Sequence, residues 1–281
     1  MRTKTCFLFL ILVAICSIGR PSFGQESTNI LSGYTSLLQS EVLGEDRRFI
    51  VNLPEGYHDS EEGQYPIIIL LDGDAHVKHA TASIHFLGAS RNRNRLMPES
   101  IVVAISNVDR ERDFVATKIE TARPNSTGGG DKFLEFLSSE LIPHIDKQYR
   151  TKPHRTLIGH SLGGLLTIHA YLKDDSIFDA YIAIDPSIWW EPSLIESKVA
   201  AMNSAAFNRK LFIATANTGE AKKERNKGRH DHIYAMLLQR GVESIQVGKK
   251  YYEEESHRSV PLIAIYDGLK YIHAGYVYED K

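Results

Sequence analysis

The sequence predicts an α/β fold built on a mostly parallel, doubly wound sheet with helices on both faces. Three observations carry that reading. Continuous apolar runs at Tyr65–Leu71, Ser100–Ser106 and Ala180–Ile184 suit strands buried on both faces. Helical patterns alternate with them, as in Phe133, Phe136, Leu137, Leu141 and Ile142, whose spacing is about 3.6 residues. Neither a repeat nor a low-complexity linker interrupts this order, so residues 25–281 are expected to form one domain.

Taken in order, Gly33 to Val42 and Arg47 to Leu53 read as an antiparallel strand pair closed by the turn Pro54-Glu-Gly-Tyr57. The run Tyr65–Leu71 ends in Asp72-Gly73-Asp74, and Val77 to Gly88 reads as a helix. After Ser100–Ser106 a polar loop runs from Asn107 to Gly130 and carries Arg110, Arg112 and Asp113. Asp131 caps the next helix. Thr156-Leu-Ile158 is a short strand, and Leu165 to Leu172 a helix. Ala180–Ile184 and Leu211–Ala216 are further strands. They end at Asp185 and at Asn217-Thr-Gly-Glu220. Arg229 to Gln239 reads as a helix closed by Gly241, Ile245 to Tyr252 as the last strand, and Val260 to His273 as the terminal helix.

Residues 1–24 read as a leader. Arg2 and Lys4 precede an apolar stretch, Cys6 to Ile18, that is short for a bilayer span, and Ser22-Phe-Gly24 suits a cleavage site. An exported chain, secreted or periplasmic, is therefore expected to start near Gln25. Both cysteines lie in the leader, so the mature chain offers no disulfide, thiolate nucleophile or cysteine metal ligand. Loss of Arg2, Lys4 and Arg20 leaves 30 basic against 35 acidic residues. That balance argues against nucleic acid or an anionic membrane as the main partner.

Chemistry concentrates at Gly159-His-Ser-Leu-Gly163, a G-x-S-x-G pentad between a buried strand and a helix start. Such a strand–turn–helix is the nucleophile elbow of α/β-hydrolases, and it predicts that fold here. A serine held in a strained turn projects its hydroxyl above the sheet. Gly159 and Gly163 remove side chains that would collide there, and Gly164 allows close helix packing. Serine needs a base, and imidazole titrates near the working pH. In this fold the acid and then the histidine follow the serine along the chain. Of His169, His230, His232, His257 and His273, only His257 sits in a polar loop between the last strand and the last helix, where a base must hang over Ser161.

Two carboxylates compete to orient His257. Glu220, after the Leu211–Ala216 strand, is favoured by position along the sheet and by reach; Asp185 is the alternative, with a turn cap as its other role. A dyad without an acid is the third arrangement. Backbone amides of Leu162 and Asp74 are the expected donors to the oxyanion, and Gly73 permits the tight turn that aims the second.

Leu71-Asp-Gly-Asp74, Gly159-His-Ser-Leu-Gly-Gly164, Asp185-Pro-Ser-Ile-Trp-Trp190 and Glu255-Ser-His-Arg-Ser-Val-Pro261 together resemble the esterase-D/Fes family of serine esterases. The resemblance runs from about Arg47 to Ile272. It is nearest to the branch of periplasmic siderophore trilactone esterases, which share the Trp-Trp and Ser-His-x-Ser-Val-Pro patterns. It implies Ser161 as nucleophile and His257 as base. It leaves the acid open, because some members of that branch resemble dyad enzymes.

The expectation is an exported serine carboxylic-ester hydrolase that works through an acyl-enzyme on a small-molecule ester of siderophore, aryl or acyl type. It needs no cofactor. An acyltransferase of the same fold and a non-catalytic binding module are the competing readings. Arg110 and Arg112 are read as solvated loop charges, with contact to an anionic substrate as the alternative. Trp189-Trp190 suits either a substrate pocket or packing beneath it. His76, His79 and His85 share no helical face, and His230 and His232 point to different sides, so no metal site is expected.

Overall fold

The computed structural model describes residues 33–278, apart from residue 60 and residues 89–93, 121–125, 174, 176, 203–207 and 241–245. The leader, the mature start near Gln25 and the helix-closing Gly241 lie outside the described residues.

One eight-stranded sheet forms the centre: β1 (Gly33–Ser40), β2 (Glu45–Asn52), β3 (Tyr65–Leu70), β4 (Ile101–Ile105), β5 (Thr151–His160), β6 (Ala180–Ile184), β7 (Lys210–Ala216) and β8 (Gln246–Tyr252). Their spatial order is β1-β2-β4-β3-β5-β6-β7-β8. The first two pairings, β1 with β2 and β2 with β4, are antiparallel, and every pairing from β4 to β8 is parallel. Eight strands in this order, parallel save for the first edge and covered by helices, make an α/β-hydrolase fold.

The apolar runs are continuous because alternate residues serve opposite faces. Ile67, Ile69 and Leu71 enter one core, and Ile68 and Leu70 the other. On the first face lie α2 (Arg110–Phe114), α3 (Gly130–Phe136), α5 (Leu162–Tyr171), α6 (Pro192–Ala201) and α8 (Arg229–Gln239), with α4 (Ile142–Gln148) continuing α3 through one wide turn at Leu137–Leu141. On the second face lie α1 (Gly73–Gly88) and α9 (Val260–Ile272), through Ala80, Ile84 and Leu87 and through Val260, Ala264, Ile265 and Leu269. A short helix, α7 (Glu220–Lys223), follows β7. Every residue of α5 is buried, as its unbroken apolar sequence requires of a helix pressed between sheet and neighbours.

The structure departs from the sequence reading at short helices. α2 interrupts the loop read as irregular, and α6 and α7 had no sequence signal. The apolar stripe of α6 is only Ile195 and Val199, and α7 buries nothing. The parallel strands deliver Asp72, Ser161, Asp185, Asn217 and His257 to one rim, at their carboxyl ends, where such sheets place ligands.

Candidate active site

The elbow is built as its glycines demand. Ser161 has φ 60° and ψ −116°, a backbone state that costs about 1–3 kcal/mol for a residue with a Cβ and persists only where the surroundings enforce it. They do so on three sides: the Ser161 amide donates to Ile184 O at 2.9 Å, and its carbonyl accepts from the amides of Leu165 and Ser187, both at 3.0 Å. A Cβ on Gly159 would lie 2.2 Å from Gly163 O, so no other residue fits there.

From that turn the Ser161 hydroxyl reaches His257 Nε2 at 3.1 Å, and His257 Nδ1 donates to Asp185 Oδ2 at 2.5 Å. Asp185 is fully buried. Its other oxygen accepts from the Ala216 amide at 2.9 Å and from Asn226 Nδ2 at 2.8 Å. Burial by itself would raise the carboxyl's pKa, but the bond from His257 and those from Ala216 and Asn226 hold it below the ordinary value. Asp185 therefore stays ionised and faces the imidazole proton. The adjoining carbonyl of Pro186 accepts from His230 Nε2 at 2.7 Å, while Thr215 Oγ1 donates to His230 Nδ1 at 2.9 Å. His230 is buried and neutral, since desolvation lowers its pKa, and it pins the loop that carries Asp185.

His160, the variable residue of the pentad, holds the other side of His257. Its Nε2 donates to the carbonyl of His257 at 2.8 Å, and the two rings lie 4.6 Å apart between centroids at 39°. Burial first, then the nearby His257 and His76, push its pKa down to about 4, so it is a neutral donor at working pH. The chain of contacts continues outward. Arg110 Nη2 donates to His160 O at 3.1 Å and grips Asp72 with two bonds of 2.6 and 2.9 Å. Asp72 (φ 53°) also accepts from Asn107 Nδ2 at 2.6 Å.

The geometry brings Asp185, and not the expected Glu220, to His257. Glu220 does not join the cluster: it opens α7 with its side chain 86% exposed and pairs with Lys223 at 3.2 Å. The reason lies in the end of β7, whose last amide is spent on Asp185, after which the chain turns outward. Asp185 follows β6, which pairs directly with the serine-bearing β5. Leu162 is the first residue of α5 and Asp74 the second of α1; amides in a first helical turn lack an intrahelical acceptor. A Cβ on Gly73 would come within 2.7 Å of Ala104 C, which keeps that turn tight. Neither Arg110 nor Arg112 is a free charge. Arg110 is bound to Asp72, and Arg112 to Glu45 and Asp113.

A cleft of about 470 Å³ opens over the serine, lined in part by Ser187, Trp189, Lys222, Arg225 and Arg258. The Arg225 guanidinium lies 3.7 Å from the Trp189 ring centroid, a cation–π stack on the cleft wall. The two tryptophans thus divide the roles proposed for the pair, since Trp190 packs against the core. Sequence reasoning missed the Asp72–Arg110–His160 chain, because Arg110 stands 38 residues from Asp72 and 50 from His160.

Fold and site together define a serine hydrolase of the α/β-hydrolase class. Residues 40–237 match a family described as “Putative esterase”, and the chain belongs to that family of carboxylic-ester hydrolases. It is 25% identical over 229 residues to the ferri-bacillibactin esterase BesA of Bacillus subtilis, covering 74% of this chain and 78% of that protein. It is 33% identical over 165 residues to the siderophore triacetylfusarinine C esterase of Aspergillus fumigatus, about half of each chain (52% and 53%). Among solved structures, an IroE-like serine hydrolase from Shewanella oneidensis superposes with a TM-score of 0.77 at 32% identity, over 85% of this chain and 79% of the other.

Proposed function

We propose that this esterase hydrolyses anionic, siderophore-type esters through an acyl-enzyme on Ser161. The observation that carries the proposal is the relay Ser161–His257–Asp185, with bonds of 3.1 and 2.5 Å. His257 Nε2 takes the hydroxyl proton as Ser161 Oγ attacks the ester carbonyl. Asp185 holds the proton on Nδ1 and stabilises the imidazolium that forms. The amides of Leu162 and Asp74 receive the oxyanion, each such donor being worth about 10²–10³ in rate. The imidazolium then protonates the leaving alkoxide, and water, activated by the same imidazole, releases the acid. Three cations, Lys222, Arg225 and Arg258, line the cleft and favour an anionic substrate. The relatives named as esterases of ferri-bacillibactin and triacetylfusarinine C support the siderophore class.

Export accompanies the proposal through the leader at residues 1–24, with the mature domain running from about Gln25. Among the described residues no helix is long and apolar enough to cross a membrane. The test is a substrate panel on the purified chain: p-nitrophenyl acetate, a methyl feruloyl ester, and a catecholate trilactone with and without ferric ion. The trilactone is expected to give the highest kcat/KM, and Ser161→Ala to abolish it. A preference for the neutral aryl esters would contradict the siderophore assignment.

A further inference from the structure

Ser187 stands beside the nucleophile with a hydroxyl that the relay does not use. Its Oγ lies 3.2 Å from Ser161 Oγ, its side chain faces the cleft, and its residue is only 4% exposed. Among the described residues that contact is the one hydrogen bond of its hydroxyl. The backbone fixes it closely. The Ser187 amide donates to Ser161 O at 3.0 Å, and the Asp185 amide two residues earlier donates to Ala214 O at 2.7 Å. One short segment, Asp185-Pro-Ser187, therefore carries both the carboxylate that orients the base and a hydroxyl aimed at the reacting oxygen.

The direction of that bond follows from the rest of the site. Asp185 is ionised and accepts the Nδ1 proton of His257, so Nε2 is the acceptor and takes the Ser161 proton. Ser161 Oγ then has lone pairs to offer and no proton left for Ser187. The Ser187 hydroxyl must be the donor.

We infer that Ser187 is a further catalytic residue, donating a hydrogen bond to Ser161 Oγ as charge develops on that oxygen. This rests on Ser161 being the nucleophile. Charge appears at Oγ twice. In acylation the Ser161 O–H bond breaks toward His257 Nε2 while the Oγ–carbonyl bond forms. In deacylation the Oγ–carbonyl bond breaks, and Oγ recovers its proton from the imidazolium. Oγ keeps a lone pair free for Ser187 in both steps. The Ser187 proton itself stays on its own oxygen, so no further group has to be supplied.

The experiment compares Ser187→Ala, Ser187→Cys and Ser187→Thr on the purified chain. Two rates are read: kcat/KM for p-nitrophenyl acetate, and the second-order rate of Ser161 labelling by a fluorophosphonate. A neutral donor to developing charge predicts a loss of about 10- to 100-fold in both for alanine. Cysteine, close in size but a weak donor, is expected to follow alanine, and it carries the test should the alanine variant not fold. Threonine keeps the hydroxyl and is expected within about three-fold of the parent. An unchanged or faster alanine variant overturns the inference, because the hydroxyl is then idle or competes for the Ser161 proton. Equal losses in alanine and threonine also overturn it, since packing then accounts for the effect. Ser161→Ala runs alongside: retained hydrolysis in that variant would sink the nucleophile assignment itself, a separate failure.

Discussion

Replacing Asp185 by asparagine removes one charge beside His257 and leaves the shape of the loop unchanged. The carboxylate is fully buried and 2.5 Å from Nδ1, while the His257 side chain is 42% exposed, so solvent screens the pair in part. With charge centres about 4 Å apart and an effective dielectric of about 20, the imidazolium loses about 4 kcal/mol of stabilisation. At about 1.4 kcal/mol per decade, kcat/KM falls by about 10³. The amide group adds to the loss, because presenting NH₂ to Nδ1 favours the wrong tautomer of His257. Glu220→Gln is the matched control. Its carboxylate is 86% exposed and paired with Lys223, so the variant is expected within two-fold of the parent. Initial rates with p-nitrophenyl acetate at pH 8 read both. The reasoning is refuted if Asp185→Asn stays within ten-fold of the parent, or if Glu220→Gln loses more than ten-fold.

Two further outcomes follow from the elbow. His160 titrates near 4 in the fold, below the ordinary histidine value near 6.5, so the unfolded chain binds the extra proton first as pH falls. Its neutral contacts contribute fully above about pH 6.5 and are lost as pH drops through 4. Between pH 8 and pH 4 the parent should lose about 3 kcal/mol more stability than His160→Gln, read from urea midpoints; equal losses would contradict the assignment. Gly159→Ala forces a methyl to within 2.2 Å of Gly163 O. A cost of about 3 kcal/mol or more is expected, seen as a fall of about 6–12 °C in Tm, and a shift under about 2 °C would count against the packing described.

The parts of this protein visible in its sequence are those whose signals are local. Ile67–Leu71 and Ile101–Ile105 are apolar at every position because they feed two cores at once, which left their strand identity plain. Ser161 was marked by glycines that sterics demand within four residues. His257 was marked by chain order. The contact of Asp185 with His257 was not legible, because it depends on partners far away: the Ala216 amide and Asn226 lie 31 and 41 residues beyond Asp185 and hold its carboxylate. Position along the sheet and reach favoured Glu220, and nothing local announces that α7 turns it to solvent. Arg110 looked like a loop charge for the same reason, its partner Asp72 standing 38 residues earlier. His160 hid in the variable position of the pentad, where only the three-dimensional stack on His257 reveals its use.

The most direct test of the account is where a fluorophosphonate attaches. After brief exposure of the purified chain, intact mass should rise by one phosphonyl group, and peptide mapping should place it on Ser161. Labelling should fall by at least about 10²-fold in His257→Ala, since the hydroxyl then lacks its base. Modification of a different serine, or labelling of Ser161 at the parental rate without His257, would contradict it.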